Sequence, residues 1–316
     1  SLLGNIPQVV RTETSVGGVP DKGVQYGINL VAKAIQDEAS DFIRSDICKF
    51  FTKIPHEPIV NYIFQETGDA EFSTFFARAL ETEISNPKRL GNDLKLFPSQ
   101  GIGVPQGSSL SAIAGNILLK DFDKQMNCHG VVTIRYIDDF VMLGRGCKIT
   151  SKAFESARKL LSQYGLDVYE PDGSTDKAAK GLTSKGFEFL GCRIEASNIS
   201  ASNKSCQKHL EDVDGFLSSS QVQLDKFAAG TDPRRAERAL LQSLAVLDDK
   251  IRGWGDAYAF TNNRRPLLWL DEKIDRRITD FLGANLRRIN SQSPIVKRRM
   301  LGITTLHDIP RQSRSC

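Results

Sequence analysis

Three aspartates of this chain stand where a carboxylate is costly unless something offsets its charge. Asp46 lies inside the short apolar run from Asp41 to Phe50. Asp138 and Asp139 are neighbours between two apolar stretches, Val131–Ile134 and Phe140–Leu143. A carboxylate in an apolar strand needs a partner or a metal. Two adjacent carboxylates repel each other, and a cation relieves that repulsion. Together the three make a hard-oxygen set suited to magnesium. Two such ions about 3.5–4 Å apart activate an attacking hydroxyl and stabilise a leaving phosphate oxygen. An Asp-Asp pair in a turn, taken alone, is more often ordinary turn chemistry. The surroundings must decide.

The elements that would carry these residues are readable from patterning. Val131-Val132-Thr133-Ile134 is β-branched throughout, and Phe140-Val141-Met142-Leu143 is apolar, so Val131–Gly144 predicts a hairpin with Asp138 and Asp139 at its tip. Asp41–Phe50 reads as a short strand. Helices are predicted over Val24–Ala39, Glu57–Phe64, Ala70–Ile84, Gly107–Met126 and Ser151–Tyr164, with Ser108 or Ser109 as an N-cap. Phe187–Leu190 and Cys192–Ile194 suggest a second small hairpin turning at Gly191. Strand signals stop after Ser200. Leu240 to Tyr258 and Leu267 to Leu286 then keep a helical 3–4 spacing. The order is a mixed α+β region followed by an all-α region.

Composition narrows the classes. The chain has 316 residues, 40% hydrophobic and 25% charged, enough for a sizeable core and unlike a disordered chain. No apolar run is long enough for a membrane span, and no signal peptide is visible, so no membrane partner is expected. The six cysteines are scattered without a CxxC pair, which argues against a zinc site and a disulfide framework and for a reducing, cytoplasmic setting. From Thr231 onward, 17 Lys and Arg face 10 Asp and Glu. A basic C-terminal part beside a mildly acidic front part suits a nucleic-acid grip next to a metal site. His56 reads as a surface or capping residue, and neither His209 nor His307 has a ligand partner in the sequence.

Four segments, in order, carry a resemblance. Arg44-Ser45-Asp46-Ile47-Cys48-Lys49-Phe50-Phe51 is followed by Gly103-Val104-Pro105-Gln106-Gly107-Ser108-Ser109-Leu110-Ser111, with Asn116 and Asp123 further along the same predicted helix. Tyr136-Ile137-Asp138-Asp139 and Phe189-Leu190-Gly191 come next. These resemble the ordered motifs of bacterial reverse transcriptases, of the kind related to group II intron and retron enzymes. Lys250–Tyr258 is similar to the segment ending the thumb of the group II intron type.

The resemblance implies a right-hand polymerase: a ferredoxin-like antiparallel palm at 40–200, reduced fingers at 1–39 and an all-helical thumb at 201–316. It implies that Asp46 and Asp138 bind two Mg2+ ions (or Mn2+), that Asp139 supports the site, and that the Ile47 carbonyl adds a ligand. Phe51 would sit under the sugar and exclude a ribose 2′-hydroxyl. Gln106 and Gly107 would meet the incoming dNTP, and Tyr136 would pack near the primer end. Phe189, Leu190 and Gly191 would grip the primer. A general-acid lysine is expected among Lys177, Lys180 and Lys185, with Lys177 preferred. Arg264, Arg265, Arg276, Arg277, Arg287, Arg288, Lys297, Arg298 and Arg299 are candidates for phosphate contacts along an RNA–DNA duplex, with Arg276, Arg277, Arg287 and Arg288 foremost.

The pattern also departs from the family. Basic fingers motifs before Asp46 are missing, and only Val16–Gly23 and the next helix resemble the last piece of the fingers. Lys22 and Arg11 are the nearest candidates for nucleotide contacts there, unless the sequence is truncated or a protein partner or a dedicated non-coding RNA completes the fingers. No zinc-binding endonuclease pattern follows Tyr258, and no retron-like Asn-Ala-x-x-His precedes Asp46. The expected function is RNA-directed DNA synthesis on an RNA template, by a stand-alone enzyme of phage defence or one serving a structured RNA. The alternatives are an intron maturase, template-free or protein-primed DNA synthesis, and a non-enzymatic RNA-binding palm.

Overall fold

The computed structural model describes residues 12–81, 87–91, 100–128, 130–229 and 239–304, with 306 and 309. They divide into two compact units. The first runs to Leu190 and takes Ile194–Ser197, and the second takes Gly191–Arg193 and resumes at Asn198.

In the first unit, α1 (Val24–Gln36) precedes β1 (Asp41–Asp46). Short α2 (Phe50–Lys53), then α3 (His56–Thr67), α4 (Ala70–Leu80) and α5 (Pro87–Leu90) follow. Next come α6 (Ser109–Leu118), α7 (Lys120–Gln125), β2 (Val131–Tyr136), β3 (Asp139–Gly144), α8 (Cys147–Ser162) and β4 (Ala179–Leu182). The four strands form one sheet in the order β2-β3-β1-β4, every neighbouring pair antiparallel. This is the split β-α-β order expected of a ferredoxin-like palm. β1 and β3 are its two inner strands. β3 is buried along Phe140–Gly144 because both faces are covered, which explains its unbroken apolar run. The core gathers Phe50, Ile54, Phe122, Phe140, Met142 and Phe154 from the sheet and the helices around it.

Two sequence expectations are corrected in this unit. Gly107–Met126 is not one helix: Leu119 leaves helical geometry (φ −93°, ψ 9°), and the chain bends into α7. The bend lets Asp123 face Arg135 on β2. His56 is buried, neither a surface residue nor a side-chain cap, and its Nε2 lies 2.6 Å from the Gly103 carbonyl. β4 escaped the sequence reading because Ala-Lys-Gly-Leu shows no strand pattern. It is added by pairing with Asp41–Arg44.

α1, expected as part of the fingers, packs on β2 and β3. Gly27 lets it approach Val16, Ile134 and Leu190. Lys22 is spent on structure: its ammonium donates to the carbonyls of Thr12 (2.8 Å) and Glu13 (3.1 Å). Arg11, His129 and His307 lie outside the described residues.

A small sheet, β5 (Phe187–Phe189), β6 (Cys192–Glu195) and β7 (Asn198–Ala201), carries the chain from the first unit into the second. The second unit is helical: α9 (Asn203–Ala228), α10 (Leu240–Ala257), α11 (Arg265–Asn290) and α12 (Pro294–Leu301). Leu210, Phe216, Leu224, Leu247, Ile274, Phe281 and Met300 form its core. Among the described residues, no helix is long and apolar enough to cross a membrane.

Candidate active site

Strand register brings the carboxylates together. Asp46 ends β1 and pairs across the sheet with Asp139, the first residue of β3. Asp139 also pairs with Tyr136, the last residue of β2. Ile137 and Asp138 therefore form the whole turn between β2 and β3. Ile137 is left-handed there, with φ 59°. A β-branched side chain rarely adopts that conformation, so something must hold it. The Asp138 carbonyl accepts from the Ile47 amide at 2.9 Å, which fastens the turn to the end of β1.

The other side of Asp46 is fixed by 167–169. The Tyr169 amide donates to the Asp46 carbonyl (3.1 Å) and the Cys48 amide to the Asp167 carbonyl (2.7 Å). From this loop Lys177 returns to the site. Its ammonium lies 2.9 Å from Asp46 Oδ2 and 5.1 Å from the centre of the Tyr169 ring. Lys180 lies on β4 and Lys185 in the short turn beyond it.

The electrostatics are those of crowded acids. Burial, then the charge of Asp46, pushes Asp139 up to about 7, while Arg44 on β1 pulls the other way. Burial and Asp46 also raise Asp138. The bond to Asp46 and the carboxylate charge raise Lys177, so it stays protonated at neutral pH. Two acids thus lack enough compensating charge, and the third holds an ammonium. Among the described residues no preformed cluster of three or more acidic, His or Cys ligands is gathered for a metal. The donor set is nonetheless the right chemistry for a hard cation, and Lys177 shows Asp46 accepting a positive charge.

The stretch that follows β1, residues 51–56, is bonded to residues 101–104. Phe51 is half-buried, its ring 5.5 Å from that of Phe50. The Phe51 carbonyl accepts from the Val104 amide at 2.7 Å, and the Ile54 carbonyl from the Gly103 amide at 2.8 Å. His56 holds the same segment through the Gly103 carbonyl. Ser111 Oγ donates to the Pro105 carbonyl at 2.6 Å, and Ser108 caps α6. The chain thus delivers Gln106 and Gly107 exposed, at a turn where Gly107 has φ 86° and open space around it.

The remaining expected residues fall as follows. Phe189 is buried at the end of β5, and Leu190 and Gly191 both have positive φ at the turn into β6. In the second unit, Arg277 is held by Asp214 in a two-bond pair (2.6 and 2.9 Å), and Arg288 by Asp225. Arg276 and Arg287 are exposed, Arg276 beside Glu272, Asp275 and Asp280.

Sequence reasoning missed Arg135. It is fully buried on β2 and binds Asp123, Asn116, Ser15 and the Ile137 carbonyl. Asn116 and Asp123, expected with the nucleotide motif, serve this buried network instead. The signal was present: a charged residue in a β-branched strand demands a partner just as Asp46 does.

Residues 11–194 match the family described as reverse transcriptase (RNA-dependent DNA polymerase). Protein YkfC of Escherichia coli (strain K12) is 22% identical over 217 residues, which cover 57% of this chain and 54% of that protein. The chain thus spans about half the length of this curated relative. Among solved structures, apo telomerase from Candida tropicalis is 14% identical with a TM-score of 0.44, over 95% of this chain and 60% of that one. Telomerase from Candida albicans, in complex with a TWJ fragment of telomeric RNA, is 13% identical with a TM-score of 0.40, over 95% and 52%.

Proposed function

The chain belongs to the reverse transcriptase family, and on that premise we propose that it is an RNA-directed DNA polymerase acting through Asp46, Asp138 and Asp139. One observation carries this reading: β1 and β3 set Asp46 opposite Asp139, with Lys177 on Asp46 and with Phe51 bonded to the Val104 segment beside them. In the reaction a primer 3′-hydroxyl attacks the α-phosphorus of a dNTP and pyrophosphate leaves. Two divalent ions, Mg2+ or Mn2+, held by the three carboxylates and the Ile47 carbonyl, would supply charge stabilisation to the attacking and leaving oxygens.

The chain's own groups do the rest. Phe51 forms the floor under the sugar and leaves no room for a 2′-hydroxyl. Gln106 and the open backbone of Gly107 meet the nucleotide. Tyr136 supports the primer end, with Phe189, Leu190 and Gly191 placing its backbone. Lys177, protonated at neutral pH, gives its proton to the departing pyrophosphate. The palm corresponds to 40–200 and the thumb to 201–316, and the described part of 1–39 braces the palm. In the thumb, Arg276 and Arg287 contact duplex phosphates through exposed side chains, and Arg277 and Arg288 do so only if their ion pairs open.

Primer extension on an RNA template, with labelled dNTPs or NTPs supplied separately, tests this. The expected result is template-dependent dNTP incorporation, lost by roughly a hundredfold or more in Asp46→Asn and Asp138→Asn. Full activity in either variant sinks the mechanism. Efficient NTP use sinks the role of Phe51, and incorporation without template sinks RNA-directed copying. The setting we propose, phage defence or service to a dedicated structured RNA, rests on the sequence resemblance alone. Sequencing the nucleic acid that copurifies tests it, and a random mixture in place of one discrete RNA would count against it.

A further inference from the structure

We propose that Arg135 is a positioning residue whose guanidinium holds the Ile137–Asp138 turn in the conformation that presents Asp138 to the site. It rests on the polymerase reading for what the turn does, while the geometry stands by itself.

An arginine has five N–H donors in a fixed fork. Here each has an acceptor. Nε and one Nη2 hydrogen go to the two oxygens of Asp123 (2.7 and 2.5 Å). The other Nη2 hydrogen goes to Ser15 Oγ (2.8 Å). Nη1 donates to Asn116 Oδ1 (3.1 Å) and to the Ile137 carbonyl (2.8 Å). Arg135 is 0% exposed and Asp123 2%, so neither charge is screened by water. A buried ion pair is tolerated only when its geometry and remaining bonds are satisfied, as they are here.

The last of these bonds is the one that bears on chemistry. The Ile137 carbonyl belongs to the peptide that enters Asp138. The carbonyl leaving Asp138 is held by the Ile47 amide. Both peptides flanking Asp138 are thus pinned, one by Arg135 and one by the end of β1. A third restraint comes from the segment 15–18. A Cβ on Gly17 would lie 2.5 Å from the Ile137 nitrogen, so only glycine lets the 15–18 segment close over the turn. Asn116 ties that segment to the same network, donating to the Gly17 carbonyl (3.0 Å) while accepting from Arg135. The left-handed Ile137 is therefore held from three directions. A lysine offers three donors from one atom and cannot span Asp123, Ser15, Asn116 and the Ile137 carbonyl.

The test uses Mn2+ as the probe, titrated against the intact protein without nucleotide and counted by electron paramagnetic resonance, beside primer extension. Two variants disturb the turn independently. Arg135→Lys keeps a charge for Asp123 but loses the fork, and Gly17→Ala leaves the fork and crowds Ile137. In both, Mn2+ affinity is expected to fall by about 10–100-fold, as when support behind a metal ligand is removed. kcat is expected to fall with it, with KM for dNTP and primer unchanged. Folded variants with the wild-type Mn2+ affinity overturn the proposal. Failure of both variants to fold overturns it too, because the network would then be structural only. A wild-type protein that binds Mn2+ but incorporates no dNTP sinks the polymerase reading and leaves this one standing. A wild type that binds no Mn2+ sinks both.

Discussion

At the residue scale, the acids and the lysine of the site lose their favourable contributions to folding over different pH ranges as pH rises. Asp139 ionises near 3.8 when unfolded and near 7 when folded. A raised folded value means that its favourable contribution is complete below about 4 and is lost as pH rises through about 7. Asp138 acts in the same direction. The metal-free protein should therefore lose melting temperature between pH 5 and pH 8. Asp139→Asn should flatten that decline and melt a few degrees higher at pH 8, even though activity is lost; thermal scans with chelator read this out, and an unchanged slope contradicts it. Lys177 is raised by Asp46, so its ion pair helps folding below the ordinary lysine value and ceases to help only in strong alkali. The catalytic part we propose for it is separable. Lys177→Met should lower kcat on the order of a hundredfold while leaving primer binding in place, and should remove the alkaline limb of the rate profile. An unaltered limb would assign the proton to another group.

At the element scale, Gly191, just before β6, is tied to helices of its own unit. Gly191 has φ 76°, and its carbonyl accepts from the Ser202 amide (2.9 Å) and Ser205 Oγ (3.0 Å). A Cβ there would lie 2.6 Å from Tyr258 Oη. Tyr258 continues into a column of rings, tilted against Trp254 at 4.4 Å, with Trp254 stacked on His209 at 4.7 Å. Gly191→Ala should cost about 1–3 kcal/mol in strain and collision, and adding Tyr258→Phe should recover part of it; strict additivity in this double-mutant cycle would show that the contact carries nothing. This column illustrates what was legible. The Phe-Leu-Gly segment and the Trp-to-Tyr spacing were visible separately, since each is a local pattern. Their meeting at Gly191 was not, because it depends on tertiary folding. The β2–β3 hairpin was legible, though its turn is Ile137–Asp138 and not the predicted Asp138–Asp139, for the same reason that β4 was not: one has β-branched runs, and the other owes its conformation to its neighbour β1.

At the scale of the whole molecule, surplus positive charge in the last third of the chain suggested a nucleic-acid grip, yet part of it is consumed internally. Asp214 and Asp225 lie eleven positions apart on α9, three helical turns. Arg277 and Arg288 repeat that spacing on α11, so the two parallel helices are joined by matching ion pairs. Between them Asn285 donates to Gln221 at 2.7 Å. Arg277→Ala should therefore destabilise the helical unit, whereas Arg287→Ala should leave melting unchanged and weaken duplex binding, with the salt dependence reduced by about one counterion; binding measured across salt concentrations separates the two. A charge count shows how many cations there are, and only the fold shows which are already committed. The same limit hid the buried arginine, whose partners come from positions 15, 116, 123 and 137. That dispersion leaves an imprint on descent. No one of Ser15, Asn116, Asp123 and Arg135 can drift alone without stranding a donor or an acceptor in the interior, so related chains should keep or exchange the four together, as a single inherited character spread over a hundred and twenty positions.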